Sequence, residues 1–244
     1  MYIKYTIVDF MNKKIKIGII IILILLLAYV AYYFTEVNHA EEAATKYLNG
    51  NDNVNVTKID NGLFLDGYGN DTALIFYPGA KNEYTAYLPM FMDIASKGVD
   101  CYLVKMPWNY AFLGEKEADS IINNSNYSHY ILSGHSLGGF AASSYISDTG
   151  KGDGVIILSG YPTKEIEKPV LSIYGSEDGV LNMKAYNDSK SLMKNQTEYI
   201  IDGGNHAQFA YYGPQNGDNP AKITPESQQN QCSAKILEFI DKLT

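Results

Sequence analysis

One six-residue stretch constrains this chain more than any other: Gly134-His135-Ser136-Leu137-Gly138-Gly139. It lies directly between an apolar run at 130–133 and a run of small residues, Phe140-Ala141-Ala142-Ser143-Ser144. The apolar run reads as a strand buried on both faces, and the small residues as a helix pressed flat on a sheet. Passing from one to the other within a few residues needs glycines around the serine, because a Cβ there would have no room. Such a turn lifts the serine hydroxyl above the sheet edge, next to the unpaired N–H groups of the helix start. The five-residue pattern alone is common; its place between a strand and a helix makes it specific.

Around this turn the chain alternates strand-like and helix-like segments, the pattern of a mostly parallel sheet of about eight strands flanked by helices. Strands are predicted at 54–59, 62–65, 73–77, 99–105, 130–133, 154–158, 170–174 and 198–201. Helices are predicted at 84–97, 115–124, 137–147, 183–194 and 225–243. Nothing between Leu158 and Val170 is long enough for a large lid, and 244 residues suit one globular domain.

Residues 17–34 are apolar or tyrosyl apart from Gly18, and Lys13, Lys14 and Lys16 precede them. About 18–20 such residues cross a hydrocarbon core as a helix. The expected organisation is a cytoplasmic N-terminus at 1–16, a transmembrane anchor at 17–34, a stalk at 35–53 and a catalytic domain at 54–244. Lysines on the near side and Glu36, Glu41 and Glu42 on the far side place that domain outside the cell membrane. A cleaved signal peptide, with secretion, is the alternative; bulky Tyr29 two positions before Ala31 disfavours a cleavage site.

Residues 1–35 carry Lys4, Lys13, Lys14 and Lys16 against Asp9, so the rest of the chain is strongly acidic within a net charge of −8. An acidic body speaks against nucleic-acid partners. The 19 basic residues are all lysine, which removes the arginine fork that suits multiply anionic substrates. Cys101 and Cys232 read as two separate buried thiols without metal-ligand spacing. Asn-x-Ser/Thr motifs at Asn55, Asn70, Asn123, Asn126, Asn187 and Asn195 matter only in a host that glycosylates surface proteins.

A serine nucleophile needs a base. Of four histidines, His39 is beside the apolar segment, His129 precedes a strand and His135 is inside the turn and helps to shape it. His206, in Gly203-Gly204-Asn205-His206-Ala207, follows a predicted strand late in the chain. The acid that orients it belongs after a strand between Ser136 and His206, where Asp178 stands in Tyr174-Gly175-Ser176-Glu177-Asp178-Gly179; Glu177 and Asp202 are the alternatives. Two N–H donors should receive the developing oxyanion. Leu137 is one, and the loop Pro78-Gly79-Ala80-Lys81 offers Ala80, with Gly79 as second choice.

Together these stretches resemble the α/β-hydrolase superfamily, in particular alpha/beta hydrolase fold family 5. The matching residues are Phe76-Tyr77-Pro78-Gly79-Ala80-Lys81, Val104-Lys105-Met106-Pro107, the 134–139 turn, Ser172-Ile173-Tyr174-Gly175 with Asp178, Gly203 to Phe209, and Tyr212-Gly213 with Gln215. The resemblance spans about 62–242. It implies an α/β-hydrolase fold and a serine hydrolase with no metal and no organic cofactor. Trp108-Asn109-Tyr110 departs from the family pattern, where a smaller aliphatic residue is expected in place of Trp108; a tryptophan there either packs on the sheet or narrows the substrate pocket. The expected activity is cleavage of a carboxylic ester or related acyl group of a small or lipid-like substrate, through an acyl-serine. An inactive surface-binding protein of the same fold and an amidase or peptidase are the alternatives. Substrate identity and oligomeric state are not legible from the chain.

Overall fold

In the computed structural model, residues 12–69 and 71–244 are described. Lys4, Asp9, most of the expected cytoplasmic stretch 1–16 and the motif at Asn70 lie outside the described residues. The chain forms two units that divide after Val37. In the first, helix α1 (Lys13–Thr35) starts at Asn12, whose side chain accepts from the Lys14 N–H at 2.9 Å. Its stretch Lys13–Tyr33 has a mean hydropathy of 2.6 and no buried share, so it is long and apolar enough to cross a membrane.

The second unit is built on an eight-stranded sheet. In chain order its strands are β1 (Asn55–Ile59), β2 (Gly62–Asp66), β3 (Thr72–Tyr77), β4 (Asp100–Val104), β5 (His129–His135), β6 (Gly154–Leu158), β7 (Ile166–Gly175) and β8 (Met193–Ile201). Their spatial order is β1-β2-β4-β3-β5-β6-β7-β8. The β1/β2 and β2/β4 pairs are antiparallel and the others parallel. β3 and β6 are buried along their whole length, as their unbroken apolar sequences require.

Side chains alternate between two cores. Leu74 and Phe76 face one, with α3 (Leu88–Ala95) and α7 (Pro225–Ile240); Ile75 and Tyr77 face the other, with α5 (Leu137–Thr149). The helices α2 (Glu42–Thr45), α4 (Glu117–Asn124) and α6 (Met183–Ser189) complete the set. From β3 the chain moves to β4 on one side, and from β5 to β6 on the other. The two loops therefore diverge and leave a crevice at the carboxyl ends of β3 and β5, the place where open sheets of this type hold their ligands.

Three expectations need correction. The helix expected at 84–97 is a 3₁₀ turn, Tyr84–Tyr87, followed by α3, because Pro89 has no N–H to continue a helix and instead suits a first turn. The helix expected at 183–194 ends at Ser189, and Met193 already pairs with Ile166 of β7, so sheet hydrogen bonds override the helical pattern and lengthen the strand expected at 198–201. Residues 38–53 are not a free stalk. Asn38 bridges to Asn82, Ala44 is fully buried and Tyr47 packs on the first core, so the chain joins the globular unit at Asn38 rather than at residue 54.

Candidate active site

Ser136 stands between β5 and α5 with φ 54° and ψ −119°, a backbone conformation that costs a non-glycine residue about 1–3 kcal/mol. It persists because the surroundings leave no other path: the Ser136 N–H donates to the Leu158 carbonyl at 2.8 Å, and the Phe140 N–H donates to Ser136 O at 3.2 Å. A Cβ on Gly134 would come within 2.2 Å of the Gly138 backbone, and one on Gly138 within 2.0 Å of the Tyr77 carbonyl oxygen. The second contact brings the end of β3, and with it the Pro78–Lys81 loop, against the start of α5. Leu137 is the first residue of α5, so its N–H has no partner within the helix.

His206 and Asp178 converge from separate loops. His206 Nδ1 lies 3.0 and 3.2 Å from the two carboxylate oxygens, and both side chains are 1% exposed. The carboxylate also accepts the Val180 and Leu181 N–H groups at 2.9 and 2.8 Å. Burial alone would raise the Asp178 carboxyl, but the His206 hydrogen bond and charge, with the Leu181 N–H, hold it below its ordinary value. It is therefore an anion, and the His206 Nδ1 that meets it is a proton donor. Nε2, the other ring nitrogen, is buried and no hydrogen bond occupies it. The alternative acids serve elsewhere: Glu177 pairs with Lys222 at 2.6 Å, and Asp202 is exposed.

A cavity of about 400 Å³ lies over these groups, lined by Ser136 and His206 and by Leu137, Phe140, Tyr161, Val180 and Leu181. Its wall is mainly apolar, with Ser159, Thr163 and Asn182 as polar members beside Ser136 and His206. A neutral imidazole backed by a buried carboxylate can take a proton from a hydroxyl that shares its cavity, which is the requirement for activating serine.

The oxyanion expectations fare differently. Leu137 lines the cavity; Gly79 and Ala80 do not. The Gly79 N–H donates to the Tyr87 hydroxyl at 3.1 Å, so the second-choice donor is engaged in the core. Trp108 neither packs on the sheet nor lines the cavity: it is 66% exposed at φ 53°, in a short turn after Pro107 whose Asn109 carbonyl accepts the Lys81 N–H at 2.8 Å.

Two residues that sequence reasoning passed over hold the Asp178 and His206 loops. Asp218 accepts the N–H of Gly179 at 3.0 Å and of Ala207 at 2.9 Å, one from each loop. Gln228, fully buried on α7, accepts the Asn205 N–H at 2.9 Å and donates to the Asn205 carbonyl at 2.7 Å. Gln228 had only a weak sequence signal, a glutamine four positions before Cys232 and eight before Ile236, on a buried face that also carries Gln229 and Ser233. Asp218, in a loop, had none. His135 is also richer than expected: it is fully buried, its Nδ1 lies 2.8 Å from the Tyr87 hydroxyl, and its ring centroid is 4.6 Å from that of His206. Burial, then the neighbouring His206, keeps its proton affinity well below the usual imidazole value, so it stays neutral.

A sequence model described as the alpha/beta hydrolase family matches residues 73–230, and the chain belongs to that family. No curated protein matches the sequence. Among solved structures, a predicted CIB-like hydrolase from Thermoplasma acidophilum is similar at 13% identity and TM-score 0.56, over 75% of this chain and 96% of that one. MGS-MChE2, an alpha/beta hydrolase enzyme from a metagenome of lagoon sediments at Mar Chica, Morocco, is similar at 17% identity and TM-score 0.55, over 76% and 99%. Est1E from Butyrivibrio proteoclasticus is similar at 13% identity and TM-score 0.54, over 78% and 100%. At these identities the likeness extends to the fold, and together with the family it makes the chain an α/β hydrolase.

Proposed function

We propose that the protein is a serine hydrolase that cleaves a carboxylic ester or related acyl group at the outer face of a membrane. Ser136 is the nucleophile, His206 the base and Asp178 the residue that orients it. The observation that carries this is the buried Asp178–His206 pair, whose Nε2 is unbonded, with His206 and Ser136 lining one cavity.

In the first half-reaction Ser136 Oγ bonds to the acyl carbon while its proton passes to His206 Nε2, and Asp178 stabilises the imidazolium. The carbonyl oxygen becomes an anion received by the Leu137 N–H and by the Ala80 N–H, whose loop is outside the cavity lining but meets the start of α5 where Tyr77 and Pro78 touch Gly138. Collapse breaks the bond to the alcohol, which leaves with the proton from Nε2. Water then attacks the acyl-serine, gives one proton to His206, and the acid departs as Oγ recovers it. The apolar wall of Leu137, Phe140, Tyr161, Val180 and Leu181 suits an acyl chain or another hydrocarbon group. Lys13, Lys14 and Lys16 at the start of α1 support an orientation with the lysines in the cytoplasm and the sheet domain outside. A fluorophosphonate probe should label the wild type and leave Ser136→Ala unlabelled; equal labelling of both would remove Ser136 from the reaction.

A further inference from the structure

Ala80 sits in a turn closed by one internal bond, from the Asn82 N–H to the Gly79 carbonyl at 3.2 Å. Lys81, the next residue, has φ 61°, a left-handed conformation that a lysine adopts only when neighbours impose it. Further restraints come from outside the loop. The Asn38 N–H donates to the Lys81 carbonyl at 2.7 Å, the Glu83 N–H donates to the Asn38 carbonyl at 3.0 Å, and Asn38 Nδ2 donates to Asn82 Oδ1 at 2.8 Å. Asn38 thus grips both sides of the turn with three hydrogen bonds. The next residues secure the grip, since the Ala40 N–H donates to Glu83 Oε2 at 2.9 Å and the Glu41 N–H to the Tyr211 carbonyl at 2.9 Å.

Inside the loop, the restraint continues toward the nucleophile. Asn82 Nδ2 donates to the Tyr87 hydroxyl at 3.1 Å, as does the Gly79 N–H. With both lone pairs of that oxygen filled, its proton goes to His135 Nδ1 at 2.8 Å, next to Ser136. One unbroken set of hydrogen bonds therefore runs from Asn38 through Asn82 and Tyr87 to the residue before the serine. Asn38 is also only three positions beyond the last residue of α1.

We propose that Asn38 is a positioning residue for the oxyanion loop, so that the peptide leaving the apolar helix is part of the reaction site rather than a spacer. The inference rests on the reading of Ser136 as nucleophile and Ala80 as oxyanion donor. Its physical basis is the short range of oxyanion stabilisation: a donor displaced from about 2.7–3.1 Å loses most of its effect on the transition state, and binding of the ground-state substrate is hardly touched.

The test uses the full chain in detergent, with Asn38→Ala to remove the side-chain bond and Asn38→Pro to remove the bond from the backbone N–H as well. Fluorophosphonate labelling to completion counts competent sites, and p-nitrophenyl ester turnover per labelled site then gives kcat and KM free of any loss of folded protein. Since deleting a whole donor costs about 10²–10³-fold in kcat, displacement is expected to lower kcat per site by about 3–10-fold for Asn38→Ala and about 10–100-fold for Asn38→Pro. KM should stay within about twofold. If kcat per labelled site in Asn38→Ala stays at the wild-type value, the proposal is wrong, whether or not the variant melts earlier or Asn38→Pro folds. Equal labelling of Ser136→Ala and wild type would instead mark a failure of the underlying nucleophile assignment.

Discussion

The loops after β7 and β8 carry Asp178 and His206 and are bonded chiefly to each other and to the C-terminal part of the chain. The Glu177 N–H donates to the Gly204 carbonyl at 2.8 Å, the Gly203 N–H to Ser176 Oγ at 2.8 Å, and Asp218 and Gln228 close the arrangement from the C-terminal end. The loop after β3 is held instead by Asn38, by Tyr87 and by Asn109, from three stretches of the N-terminal half. The Asp178–His206 pair thus rests on neighbouring parallel strands whose ends already lie side by side, and the proposed oxyanion loop rests on irregular segments that have to fold onto it. A carboxylate and an imidazole need one strong contact, whereas an oxyanion donor needs an aim set from several directions. His135 is where the two supports meet, with the Tyr87 hydroxyl at its Nδ1 and the His206 ring 4.6 Å from its own.

The largest effect should come from breaking the first support at its centre. Asp178→Asn leaves the shape of the pair but withdraws the charge that selects the His206 tautomer, and kcat should fall by about 10⁴-fold with the fold retained. A fall of less than tenfold would mean that Glu177 or Asp202 does the work of Asp178. The same carboxyl, held below its ordinary value, contributes stability at neutral pH that disappears as pH falls through its folded-state value. The Asp178→Asn variant should therefore lose less stability than the wild type on acidification to below pH 4 in urea titrations, relative to each protein's own stability at pH 7.

An intermediate effect is expected one layer out. Gln228→Ala leaves the Asn205 N–H and carbonyl without their partner in a buried place, which costs about 1–3 kcal/mol of stability. Because the base loop loosens, kcat should also fall by roughly tenfold. If kcat falls while the reaction of Ser136 with fluorophosphonate keeps its rate, the two supports are less separate than their hydrogen bonds suggest.

The smallest effect concerns the shared residue. His135 is neutral in the folded protein and its affinity for a proton is far below that of the unfolded chain, so the unfolded state gains a proton first as pH drops. Below the ordinary imidazole value of 6.5 this one group should favour unfolding by about tenfold per pH unit. His135→Gln should flatten the stability profile between pH 5 and 6.5 by the equivalent of one proton. An unchanged slope would show that His135 is charged when folded and is not the neutral acceptor of the Tyr87 proton.

What could be read from the chain divides along the same line. Ser136 was legible because a glycine-flanked serine between an apolar strand and a small-residue helix has few geometric options. Asp178 and His206 were legible as loop residues after strands in the right chain order. The stalk was misread because Glu36 to Leu48 has ordinary surface-helix composition, and nothing local tells that Asn38 pairs with a loop some 40 residues away. The helix at 183–194 was misread because its periodicity continues past Ser189, while β7 offers the same residues a row of backbone partners.

By itself the sequence determined the alternation of elements, the burial of β3 and β6, the apolar α1 and the sharp turn at Ser136, because each depends on the size and polarity of residues close together in the chain. Tertiary structure alone decided that Asp178 rather than Glu177 meets His206, that Tyr87 occupies the Gly79 N–H, and that Asn38 joins the loop after β3. Those choices are hydrogen bonds between distant segments, and a polar side chain has no preferred partner until folding brings several within reach and excludes water from all but one.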